Sequence, residues 1–124
     1  MTRITPSLLI LALACAPVAS SRAAAPMPLA DGAARSAIGH PASVTGVVAQ
    51  VKDHAHHGFA YLNFGARFPD MTFSVLIPDS AVARFGDLMR FEGHRARATG
   101  TVWLQDGKTP AMTLTDPASL ELLP

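Results

Sequence analysis

The most constraining feature of the sequence is a stretch, residues 93–104, in which small or apolar residues alternate with polar or large ones. One face contains Ala96, Ala98, Gly100, Val102 and Leu104, and the other contains Arg95, Arg97, Thr99, Thr101 and Trp103. A period of two is typical of a strand that buries one face. Gly100 falls on the buried face, where the missing side chain lets a strand bend sharply.

Residues 42–51 have the same design, with Gly46 near their centre. Two long strands that each contain a central glycine favour a small closed barrel over a flat sheet. Further strands are predicted at 59–64, 71–77 and 109–114, and a helix at 81–85. Residues 105–108 read QDGK, which predicts a hairpin turn with Asp-Gly at its centre. The order predicts an all-β chain with one short helix: a five-stranded Greek-key barrel of the OB-fold type, with the helix between strands 3 and 4. A five-stranded sandwich is the competing architecture.

The first 25 residues have the pattern of a secretory signal peptide. Arg3 precedes an apolar run, and small residues follow it. We therefore expect a signal peptide at 1–25, a linker at 26–40, an OB-fold domain at 41–124, and a periplasmic or secreted protein without a transmembrane segment in the mature chain. Lipid anchoring at Cys15 is the less favoured alternative, because Leu13 fits a lipoprotein cleavage box poorly.

Charge limits the function classes. The chain has ten Lys and Arg against nine Asp and Glu, and removal of 1–25 leaves eight against nine. This near-neutral balance argues against a strongly electrostatic nucleic-acid binder, because phosphate contacts normally require a basic surface. Cys15 is the only cysteine, so the expected mature domain contains no disulfide.

Several short segments carry a resemblance to a known family. Residues 44–48, 61–65, 73–78, 97–102 and 114–120 read VTGVV, YLNFG, FSVLIP, RATGTV and LTDPASL. In this order they resemble a family of small, exported bacterial OB-fold domains that is grouped with the nucleic-acid-binding OB-folds, over residues 38–123. The resemblance implies a barrel that binds nucleic acid, although OB-folds also bind sugars and proteins. The chain departs from the family at His54, His56 and His57, where members have Ser, Gly or Thr.

OB-folds bind ligands across strands 2 and 3 and the adjoining loops. By position this indicates Tyr61, Asn63, Arg67, Ser74 and Leu76 on the sheet face and Lys108 on a loop. Tyr61 would stack on a base and Arg67 would pair with a phosphate. The alternatives are a half-buried strand aromatic for Tyr61, a solvated turn residue for Arg67, and a turn-fixing side chain for Asn63.

A second candidate surface is the outer face of the fourth predicted strand. Arg95, Arg97 and Trp103 combine positive charge with an aromatic ring, which suits a polyanion. The alternative is an outer sheet face on which long side chains cover Trp103.

Residues 54–57 present His54, His56 and His57 in one loop, and histidine is the commonest transition-metal ligand. A structural metal site needs four ligands, so the favoured interpretation is a polar exposed loop with no metal.

Nothing in the sequence forms a catalytic constellation, and we expect neither enzyme activity nor a cofactor. The predicted function is weak binding of single-stranded nucleic acid through the strand 2–3 face. The alternative is a periplasmic protein-interaction or small-ligand module with no nucleic-acid role.

Overall fold

The computed structural model describes residues 26–56 and 58–124. Strands make up 51% of this part of the chain and form a sheet that curls into a half-barrel, which confirms the predicted β-rich, barrel-like class. The strands are β1 (Met27–Ala30), β2 (Pro41–His56), β3 (Phe59–Phe64), β4 (Phe73–Pro78), β5 (Arg95–Thr101), β6 (Trp103–Gln105), β7 (Thr109–Thr113) and β8 (Leu120–Leu122). The helices are α1 (Asp79–Phe85) and three 3₁₀-helices at Asp31–Ala37, Leu88–Phe91 and Pro117–Ser119.

The sheet runs in the order β6-β7-β4-β3-β2-β5-β8, and β1 pairs in parallel with β2. β5 pairs with β2, whereas β6 pairs with β7 at the opposite end of the sheet. Only Val102 separates β5 from β6 along the chain. The segment 95–105 therefore bends from one end of the sheet to the other and brings the two ends together.

Over residues 26–56 and 58–124 the sheet has eight strands, and the prediction of five was wrong in this respect. Val102 exchanges backbone hydrogen bonds with residues 39 and 40: it donates to the His40 carbonyl (3.1 Å) and accepts from the Gly39 N–H (2.7 Å). This exchange divides the predicted strand 93–104 into β5 and β6. The further strands β1 and β8 pair with β2 and β5, where they cover backbone groups that would otherwise be unpaired.

The segment 26–40 was expected to be a linker, and the structure places β1 and a 3₁₀-helix there. Ala34 and Ala37 of this helix are fully buried in the main hydrophobic core. Asp31, at the start of the helix, accepts a hydrogen bond from the Thr72 hydroxyl. The segment is thus packed against the barrel. Residues 1–25, the predicted signal peptide with Cys15, lie outside the described residues.

The position of the helix also differs from the prediction. α1 lies between β4 and β5, which are the fourth and fifth of eight strands. It ends at Gly86, whose φ of 71° favours glycine, and Gly86 N–H donates to the Ala83 carbonyl. Asp87 then caps the next helical turn, because its side chain accepts from Met89 N–H at 3.0 Å. No helix in the described ranges has the length and apolar character needed to cross a membrane.

The core lies inside the curled sheet, and the alternation of 93–104 contributes to it as predicted. Ala96, Ala98 and Val102 are fully buried. A Cβ on Gly100 would lie 3.3 Å from Leu114, so the glycine also faces the core. Phe64 and Phe73 pack edge to face, with ring centroids 5.3 Å apart, a geometry worth about 0.5–1.5 kcal/mol beyond the buried area.

Candidate ligand-binding cleft

A cleft of about 530 Å³ lies on the outer face of β3, between the turn after β3 and the turn that joins β6 to β7. Its volume is within the range typical of small-ligand sites. The residues lining it combine aromatic, cationic and amide side chains. They are Lys52, Tyr61, Asn63, Phe68, Pro69, Met71, Gln105, Asp106, Lys108 and Thr109. We call this site the cleft.

A bulge in β2 places two polar side chains beside β3. The register between β2 and β3 shifts between Val48 and Gln50. The next buried residue of β2 after Val48 is therefore Val51, three positions on, instead of residue 50. Gln50 then pairs with Asn63, and Lys52 pairs with Tyr61. A bulge re-aims the side chains that follow it. Here it puts the Lys52 ammonium and the Tyr61 ring on the same side of the sheet, in the cleft.

Behind the cleft, a chain of hydrogen bonds fixes the amide of Asn63. Its Nδ2 donates to Gln50 Oε1 at 2.9 Å, and its Oδ1 accepts from Ser74 Oγ at 2.8 Å. Asn63 is 2% exposed and Ser74 is fully buried. Asn63 therefore forms a rigid part of the wall, and Ser74 supports Asn63 from the interior. Leu76, the other β4 residue predicted for the ligand face, is also buried.

Phe68 lies on the turn after β3 and forms one side of the cleft. Its side chain is 64% exposed, the largest value among the exposed large apolar residues of the described chain. Its ring centroid lies 5.8 Å from Lys52 Nζ, within cation–π distance. Its backbone N–H donates to Gln50 Oε1 at 2.9 Å, which holds the turn against β2. An open aromatic ring and a cation thus share one edge of the cleft.

The opposite side is the turn between β6 and β7, which the sequence predicts from its Asp-Gly pair. Asp106 and Gly107 have φ of 52° and 67°, as a type I′ hairpin turn requires, and Lys108 N–H donates to the Gln105 carbonyl at 2.9 Å. The turn presents Asp106 and Lys108 to the cleft. The side-chain oxygen Oε1 of Gln105 is buried there without a hydrogen-bond partner among the described residues.

The remaining predicted site residues lie elsewhere. Arg67 is exposed on the turn after β3 but does not line the cleft. Arg97 Nη1 lies 2.7 Å from Glu121 Oε1 of β8, so an acidic partner offsets its charge. Trp103 Nε1 donates to Thr113 Oγ1 at 3.1 Å. Arg97 and Trp103 lie on different strands, β5 and β6, and no cation–π contact among the described residues joins them. Arg95 is exposed at the start of β5 and does not line the cleft.

The loop histidines cannot be placed. The position of His57 and the side chains of His54 and His56 lie outside what the structure describes. Among the residues that it does describe, no group of three or more His, Cys, Asp and Glu side chains is arranged to hold a metal ion.

Of the predicted residues, Tyr61, Asn63 and Lys108 come together in the cleft. Sequence reasoning missed Lys52, Phe68 and Gln105. A signal for Lys52 was present, because the apolar spacing changes from two to three residues between Val48 and Val51 and indicates a bulge. Phe68 carried no comparable signal, since one aromatic residue in a turn does not reveal which surface it faces.

Comparison with known proteins does not assign a family. The sequence matches no family model, and a search of curated proteins finds no match either.

Proposed function

We propose that the chain is an exported OB-fold binding module. Support for the fold comes from the strand pairing. β2, β3, β4, the bent segment 95–105 and β7 form a ring, in which β4 pairs in parallel with β7 and the bent segment pairs with both β2 and β7. A five-stranded Greek-key barrel has this connectivity, with β1 and β8 as additions at its edges. Export is proposed from residues 1–25 alone.

The proposed ligand is a short stretch of single-stranded nucleic acid, bound in the cleft. The observation that carries this proposal is the arrangement of Tyr61 and Phe68 with Lys52 and Lys108 around one opening. Proteins that bind single strands combine aromatic rings, on which bases stack, with cations that follow the backbone. The 64% exposure of Phe68 fits a ring that a ligand would cover.

The same geometry predicts weak binding. Two lysines and one carboxylate, Asp106, line the cleft. Residues 26–124 contain eight Lys and Arg against nine Asp and Glu, so they carry no excess of positive charge. Two phosphate contacts would give a slope of log affinity against log salt of about −1.4, since each contact on a single strand contributes about −0.7. Base stacking then supplies most of the affinity, and it tolerates many sequences because every base has a π-face.

The test is fluorescence anisotropy of the full chain with labelled single-stranded DNA and RNA at two salt concentrations. The proposal predicts salt-sensitive binding in the micromolar range to both polymers. Absence of binding at low salt would exclude this function and leave the fold untouched.

The alternative is a small-ligand or protein-interaction module without a nucleic-acid role. One group in the cleft favours it: the Asp106 carboxylate repels phosphate and accepts hydrogen bonds, which suits a ligand that carries N–H or O–H donors. Oligonucleotide binding that does not change with salt, or binding that appears only with a protein partner, would favour this alternative.

A further inference from the structure

A second pocket adjoins the cleft. It has a volume of about 250 Å³, and Met71, Lys108 and Thr109 line both spaces. The residues lining it are Gly32, Arg35, Met71, Thr72, Lys108, Thr109 and Pro110. The two spaces therefore meet at the end of the turn between β6 and β7, so that a polymer leaving the cleft past Lys108 enters the second pocket.

The second pocket differs from the cleft in chemistry. Of the described residues that line it, none is aromatic or acidic, and two are cations, Arg35 and Lys108. Asp31, Asp70 and Asp106 lie within two positions of lining residues along the chain, but none of them lines the pocket. Asp31 accepts a hydrogen bond from the Thr72 hydroxyl and lies against Gly46. The pocket lacks a platform for a base and offers a place for an anion.

Arg35 is held in position by the neighbouring turn. Its guanidinium donates from Nη2 to the Lys108 backbone carbonyl. A guanidinium has five N–H donors in a planar fork, so this bond leaves donors for an anion. The bond also keeps Arg35 and Lys108 adjacent, since the Arg35 side chain is hydrogen-bonded to the Lys108 backbone.

We propose that the second pocket is a phosphate subsite, in which Arg35 and Lys108 bind one backbone phosphate of a strand whose bases stack in the cleft. This inference rests on the proposed function and deepens it. It gives the segment 26–40 a role in binding, because Arg35 belongs to the 3₁₀-helix Asp31–Ala37. A phosphodiester is the ligand that fits best: arginine recognises phosphate through paired N–H donors, and the pocket continues the path from the cleft.

The test compares Arg35→Gln with Arg84→Gln in the full chain. Arg84 is a matched control: it is an exposed arginine in a helix, donates to a backbone carbonyl (Thr115, 3.3 Å), and lies outside both pockets. The probe is a fluorescein-labelled oligothymidylate of about ten nucleotides, within the site sizes of OB-folds. Anisotropy titrations at several salt concentrations give affinity and salt slope, and thermal unfolding verifies that each variant folds.

Arg35→Gln is expected to weaken binding by about twofold to fivefold at low salt, as for an exposed ion pair. It should also reduce the magnitude of the salt slope, by less than the ~0.7 of one whole phosphate contact because Lys108 remains beside that phosphate. Arg35→Lys keeps the charge and should keep the slope, whereas Arg84→Gln should change neither quantity. If the wild-type chain binds and Arg35→Gln behaves like Arg84→Gln, the subsite is excluded and the proposed function stands. If the wild-type chain does not bind the probe, the proposed function fails and the subsite with it.

Discussion

The backbone N–H of Phe68 donates a hydrogen bond to the side-chain oxygen Oε1 of Gln50, with an N–O distance of 2.9 Å. The same oxygen accepts from Asn63 Nδ2, also at 2.9 Å. A single glutamine thus connects the turn that carries Phe68 with the centre of β3. The position of the exposed ring depends on the bulge that places Gln50 on this side of β2.

Replacing Gln50 tests this connection. Gln50→Leu leaves the amide donor of Asn63, which is 2% exposed, without its acceptor. Loss of a partner for a buried donor costs about 1–3 kcal/mol, so the free energy of unfolding should fall by that amount in urea titrations. Gln50→Glu is the control, because its carboxylate can accept both hydrogen bonds. Equal stability of Gln50→Leu and the wild type would contradict the role given to Gln50.

The two rings of the cleft are expected to contribute most of the binding energy. Phe68→Ala should weaken oligonucleotide binding by about 1–3 kcal/mol, the value of one base stacked on an aromatic ring. Tyr61→Ala should have an effect of the same size, and Tyr61→Phe should bind nearly as the wild type because it keeps the ring. Anisotropy titrations measure these changes.

Met89→Ala is the matched control for Phe68→Ala. Met89 is another exposed apolar side chain, 43% exposed, and it lies outside the cleft lining. Its replacement should leave the affinity unchanged. A loss of affinity in Met89→Ala equal to that in Phe68→Ala would mean that the effect is not specific to the cleft.

Replacing Arg97 tests whether the ligand binds in the cleft or on the second candidate surface, the outer face that carries Arg95 and Arg97. Its side chain is 43% exposed and paired with Glu121, an exposed arrangement that contributes at most about 1 kcal/mol to stability. Arg97→Gln should therefore leave oligonucleotide affinity within twofold of the wild type, on the order of the smallest effects of exposed charges. A large loss of affinity would move the binding surface to the outer face of β5.

Asp31, in the segment before β2, packs closely over Gly46 of the barrel. A Cβ on Gly46 would lie 2.6 Å from Asp31 Oδ1 and 2.9 Å from Asp31 Cβ. Gly46→Ala should lower the free energy of unfolding by about 1–3 kcal/mol, as expected for overpacking. Gly32→Ala is the control, because a Cβ there meets nothing within 4 Å.

A double-mutant cycle tests whether Asp31 causes the loss of stability expected in Gly46→Ala. Asp31→Gly removes the atoms that the new methyl group would meet, so Gly46→Ala should cost less stability in that background than in the wild type. An unchanged cost would assign the clash to other atoms.

Much of the β structure could be predicted from local pattern. The alternation of 93–104 identifies Ala96, Ala98 and Val102 as buried, and the Asp-Gly pair identifies the turn after β6. These features depend on neighbouring residues, whose period and backbone preferences are visible in the sequence. The barrel-like class follows from them.

The parts that sequence reasoning missed depend on contacts between distant segments. β1 forms by pairing with β2, and Val102 is paired with residues 39 and 40. The cleft joins Lys52, Phe68 and Lys108 from three separate elements. A short segment rich in Ala, Gly and Pro, such as 26–40, has no period that predicts a strand, and its structure comes from tertiary packing.

The most direct test of the central claim is a two-dimensional ¹⁵N–¹H NMR titration of the full chain with an unlabelled oligothymidylate. The account predicts that backbone signals of Lys52, Tyr61, Phe68 and Lys108 shift together, while that of Arg97 stays in place. Shifts confined to the face of β5 and β8 would contradict it. So would the absence of shifts at about 1 mM oligonucleotide, since a dissociation constant of that size corresponds to only about −4.1 kcal/mol.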